Sequence, residues 1–100
     1  MEDLSPYDRA TLGLWRRSYT LLTEQPEDRQ LVEAAMHAVL AGLRRWSRPA
    51  ELFTAYEEGT AADFALARSV LPADASEELL WRVREAAFYL RYLELTPSSG

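Results

Sequence analysis

The sequence predicts an all-α fold, a compact bundle of about five helices, and three observations carry that expectation. Apolar residues recur at three- and four-residue spacing along every long segment, and no segment alternates strictly as a half-buried strand would. Proline and glycine fall between those segments, at Pro26, Pro49, Gly59 and Pro72. The connections they leave are short, which favours neighbouring helices packed antiparallel or at sharp angles.

Helix one is expected over 6–23, with Ser5 as N-cap and Pro6 at the first helical position. Its inner arc holds Tyr7, Leu14, Trp15, Tyr19, Leu21 and Leu22, with Thr11 and Ser18 placed to bond back to preceding carbonyls. Pro26 pushes Gln25 out of helical geometry, and Glu27 and Asp28 suit the first turn of helix two, expected over 26–46. Apolar residues from Leu31 to Trp46 cover about half of that helix. Gly42 would let a neighbour approach it closely, and Arg44 and Arg45 stand near its negative end. Pro49 opens helix three, 49–58, which ends at the natural C-cap Gly59. Thr60-Ala61-Ala62-Asp63 resembles a capping box opening helix four, 61–71, and Pro72 stops it. Asp74-Ala75-Ser76-Glu77 does the same for helix five, 74–95. Residues 1–95 then read as one domain and 96–100 as a disordered tail.

Helix five is the most informative segment because it carries two apolar stripes. Leu79, Val83, Ala86, Ala87, Leu90 and Leu93 form one; Trp81, Phe88, Tyr92 and Leu95 form another roughly half a turn away. A surface helix of a small domain needs one stripe, so something must cover the second. Helix one, three or four folding over it would make helix five a buried hub. A second copy of the chain would make it an interface, with Arg84 and Arg91 on one flank and Glu78 and Glu85 on the other. Two-fold pairing is the commonest way to close such a patch, so a homodimer is expected, with Trp81, Arg84, Phe88, Arg91, Tyr92 and Leu95 as its contact residues.

Composition narrows the function classes. There is no cysteine, hence no disulfide, thiolate nucleophile or sulfur-ligated zinc site. The acidic opening Met1-Glu2-Asp3-Leu4 is unlike a signal peptide, and the longest near-apolar run, 34–43, is far short of the ~20 residues of a membrane span, so a cytoplasmic protein is expected. A net charge of −5 opposes non-specific attraction to nucleic acid or anionic membranes. The chain lacks Lys, Ile and Asn together, which points to codon bias in a GC-rich bacterial genome rather than to selection of arginine for bidentate contacts. That bias should also thin Phe and Tyr, yet eight remain beside three Trp, so these aromatics serve packing or contact.

No catalytic, cofactor or metal constellation is expected. The only histidine, His37, stands one turn after Glu33 on the polar face of helix two, and metal bundles use a Glu-x-x-His spacing with a second histidine. There is no nucleophile elbow and no glycine-rich phosphate loop. Arg44, Arg45 and Arg48 around Trp46 make a candidate anion-binding cluster; the same arginines would also stabilise the end of helix two. Helices 49–58 and 61–71 around Gly59 have the form of a DNA-binding helix-turn-helix, though the second begins with Asp63 and offers only Arg68 as a base. The function expected is a small helical interaction or regulatory module that works through the aromatic face of its last helix, with the helix-turn-helix as the alternative.

Overall fold

The structure, a computed structural model, describes residues 4–24 and 29–97. Among these residues it forms five α-helices and no strand: α1 (Pro6–Glu24), α2 (Arg29–Leu43), α3 (Pro49–Glu58), α4 (Thr60–Arg68) and α5 (Glu77–Leu95). The expected all-α bundle is therefore the fold. The start of helix two at 26–28, with its proline and acidic first turn, and the tail at 98–100 lie outside the described residues.

Local chemistry sets the boundaries. Ser5 caps α1, its Oγ accepting from the Asp8 amide at 3.1 Å. Helix two stops at Leu43, three residues earlier than expected; the chain leaves it through a turn in which the Trp46 amide donates to Leu43 O, and Pro49 holds Arg48 extended (φ −130°, ψ 144°). Glu51 then caps α3, accepting from the Ser47 and Arg48 amides at 3.1 and 3.0 Å. Gly59 closes α3 as expected, its amide donating to Ala55 O at 2.8 Å. The capping box expected at Thr60 does not form: α4 starts directly from Gly59, and Asp63 turns into the core instead. Asp74 likewise does not cap; Ser76 does, its Oγ accepting from the Leu79 amide, so α5 begins at Glu77. At the other end Thr96 caps α5, donating from both its amide and its hydroxyl to Tyr92 O.

α5 is the hub. All four other helices pack against it, and α2 also packs against α4. Six consecutive residues, Val83 to Phe88, are buried, which covers every side of the helix over more than one turn. Trp15 of α1 lies at the centre of the surrounding aromatics, stacked on Phe53 at 4.9 Å and tilted against Phe88 at 5.1 Å. α4 approaches α2 at Gly42, where a Cβ would come within 2.7 Å of Leu66 Cδ1. No helix among the described residues is long and apolar enough to cross a membrane.

Candidate functional site

Most of the stripe expected at an interface is covered by the chain itself. Phe88 is 0% exposed, between Trp15 of α1 and Tyr56 of α3. Trp81 is half-buried with its ring set edge-on against Phe64 of α4 at 5.1 Å, and half-buried Tyr92 meets Phe53 of α3 at 6.2 Å. Leu95 is half-buried against the core. Arg84, expected as a rim charge, is instead 0% exposed. The correction is geometric: Arg84 stands three residues after Trp81 and four before Phe88, inside the stripe rather than beside it.

Arg84 clasps the corner between α3 and α4. Its Nε donates to Asp63 Oδ2 at 2.7 Å, and Nη2 donates to Ala55 O and Tyr56 O at 3.1 and 2.7 Å. Those carbonyls belong to the last turn of α3, where a cation complements the dipole; Ala55 O also accepts from the Gly59 amide. Nη1 has no hydrogen-bond partner, but the guanidinium carbon lies 4.8 Å from the ring centroids of Tyr56 and Phe88 and 5.8 Å from that of Trp81. Burial holds the Asp63 carboxyl above its ordinary pKa, and the Arg84 guanidinium pulls the other way.

Glu85, the next residue, fastens α1 and α3. Ser18 Oγ donates to its Oε1 at 2.7 Å and Tyr56 Oη donates to its Oε2 at 2.5 Å. Ser18 therefore does not bond back along its own helix as expected, whereas Thr11 does, to Tyr7 O. Burial and the neighbouring carboxylate both push the Tyr56 hydroxyl far above its usual pKa. Glu85 was expected on the flank of an interface, and it too is buried. The network Ser18–Glu85–Tyr56 and Arg84–Asp63 ties three helices to the hub through paired polar groups. It leaves no carboxylate or hydroxyl open to a substrate.

The arginine cluster is also largely committed. Arg44 forks onto Glu94, at 3.4 and 2.7 Å, which holds the Glu94 carboxyl below its ordinary pKa. Arg91 donates to Trp46 O at 3.2 and 2.8 Å and to Arg44 O at 3.3 Å, closing the end of α2. Arg45 lies over the Trp46 ring at 4.9 Å, and Arg48 is exposed at the start of α3. The helix–corner–helix at α3 and α4 forms, but the exposed residues of α4 are Ala61, Ala62, Ala65 and Arg68.

Two open clefts lie beside α3. A cleft of about 350 Å³, mostly apolar, is walled by Trp46, Ala55 and Gly59 and rimmed by Arg45, Glu51 and Glu58. A second, more polar cleft of about 380 Å³ lies between α1 and α3, beside Tyr7, Asp8, Thr11 and Glu57. Ala50 and Thr54, one turn apart and both exposed, line both clefts and form the low ridge between them. Sequence reasoning missed this surface. Its signal was a helix with the small outward residues Ala50 and Thr54 one turn apart, while the turn before it carries a tryptophan. Comparison with known protein families, with characterised proteins and with solved structures finds no match to this chain.

Proposed function

We propose that this chain is a small cytoplasmic helical interaction module, and that its contact surface is α3 with the two clefts beside it. The reading keeps the function expected from the sequence and moves its surface away from the middle of α5. The observation that carries it is the apolar cleft at Trp46, Ala55 and Gly59, whose rim holds charges of both signs. An anchor side chain of a partner fits such a hollow, and a charged rim orients it. The rest of the described surface offers less: of the exposed large hydrophobics, Tyr7 lines the second cleft, and Leu14 and Leu93 lie on separate parts of α1 and α5. Self-association remains the first partner to test, because two-fold pairing is the commonest assembly of small soluble chains.

Site-specific photo-crosslinking in the source cells tests the reading. A photoreactive residue at Thr54 should give a discrete adduct that the same group at Ala62, on the outer face of α4, does not. An adduct of twice the chain's mass would identify a second copy as the partner, and light scattering over a dilution series would then show a mass of two chains. Equal labelling at both positions, or none at Thr54, overturns the proposal.

A further inference from the structure

The surface around α3 also specifies the chemistry of what it binds, and this step rests on the interaction reading above. The two clefts and the ridge between them bring together the carboxylates of Asp8, Glu51, Glu57 and Glu58 against the single cation Arg45. Arg45 is already placed over the Trp46 ring, and Glu51 already accepts two backbone amides. Asp8, Glu57 and Glu58 take part in no ion pair among the described residues. Tyr7 Oη, a neutral donor, bonds to Glu57. With Arg48 exposed just before α3, the lining of the two clefts still carries more negative than positive charge, in a chain whose net charge is already −5.

From this arrangement we infer that α3 docks a basic amphipathic segment of a partner protein. One large apolar side chain of the segment enters the cleft at Trp46, Ala55 and Gly59. The backbone of the segment crosses the low ridge of Ala50 and Thr54, where no bulky side chain holds it off. Its lysines or arginines lie over Asp8, Glu57 and Glu58. The two clefts flank one helix turn, so anchor and cation need to project from different sides of the docked segment, as an amphipathic helix allows. Anionic partners such as nucleic acid or a phospholipid surface meet repulsion from the same carboxylates.

A synthetic helical peptide with leucines on one face and lysines on the other provides the probe, titrated into isotope-labelled protein and followed by amide NMR. The expected shifts concentrate on residues 50–58 and around Asp8, and the affinity falls steeply with salt. Thr54→Arg, at an exposed helical position, should leave the helical circular dichroism unchanged and weaken the peptide at least about tenfold, a loss of about 1.4 kcal/mol. A matched peptide with glutamate in place of lysine should not bind. Shifts centred elsewhere, binding within twofold in Thr54→Arg, or no binding at all overturns the inference. A crosslinked adduct at Thr54 together with a failed lysine peptide would overturn the partner's chemistry and leave the interaction module standing.

Discussion

Arg84 and Arg91 stand two turns apart on α5 and perform the same operation at two different corners. Each donates to the last carbonyls of a helix, Arg84 to those of α3 and Arg91 to the turn that ends α2, and each is paired with a carboxylate. Their surroundings differ. The side chain of Arg84 is 0% exposed and its partner Asp63 is 3% exposed; Arg91 is 14% exposed and its partner Glu94 is 36% exposed and shared with Arg44. Water can replace Arg91 at the Trp46 carbonyl, and nothing can replace Arg84 at the Asp63 carboxylate. The same hydrogen bonds are thus a modest gain at one corner and a necessity at the other, because the cost of an unmade bond is set by burial.

Removing Arg84 should have the largest effect. Arg84→Met fills much of the same volume but strands the Asp63 charge in the core. Breaking a buried pair from one side costs about 3–5 kcal/mol, much of the stability of a domain this size. Urea unfolding followed by circular dichroism measures it. Adding Asp63→Leu should recover part of the loss, since no charge is then stranded, while the lost bonds from Arg84 to Ala55 O and Tyr56 O keep the recovery incomplete. A single-variant loss below about 1 kcal/mol would break the distinction between the two corners.

The second buried link sharpens it through pH. Tyr56 holds its proton in the folded state well above the pH at which a free tyrosine loses it, first through burial and then through Glu85. Its contribution to stability is therefore whole below about pH 10, where tyrosine in the unfolded chain ionises, and drains away as pH rises past that point. Tyr56→Phe should cost about 1–3 kcal/mol at neutral pH by leaving Glu85 Oε2 without its donor. The same change should remove one proton's worth of the alkaline loss, read as a shallower dependence of the urea midpoint between pH 9 and 11. An unchanged slope would mean that Tyr56 ionises freely in the folded protein.

Sequence reading recovered the helices, the cap at Ser5, the corner at Gly59 and the close approach at Gly42, because each of these is written in neighbouring residues. It also recovered the two stripes of α5, and it kept open the possibility that the chain covers both. The placement of Arg84 was within reach: a charge three residues after Trp81 and four before Phe88 lies in the stripe by spacing alone. Arginine is mostly a surface residue, so its type alone points to the rim. Its partner Asp63 lies 21 positions away on another helix, so the pairing that makes burial tolerable is invisible until α4 is folded against α5. The clefts beside α3 were out of reach for the same reason, since they consist of what two turns and three helices leave unfilled.

At the wetter corner, Arg91→Ala should cost about 1–2 kcal/mol, less than Arg84→Met, because water reaches the carbonyls it leaves. The end of α2 should loosen locally, read as faster amide hydrogen exchange at Trp46, whose amide donates to Leu43 O. Loss of the whole fold would show that exposure does not separate the two arginines.

The smallest effect should come from Glu94, the outermost member of the set. The fork from Arg44 holds its carboxyl below the ordinary glutamate range, so its contribution is present above the unfolded-chain value near 4.5 and is lost as pH falls through the lower folded value. Both side chains are more than a third exposed, so solvent and salt screen the pair. Glu94→Gln should therefore shift the urea midpoint at neutral pH only slightly, and half-molar salt should erase the difference from the unaltered protein. Salt should leave the deficit of Arg84→Met untouched, because no ion reaches Asp63. If salt scaled both deficits alike, burial would not be what separates the two corners.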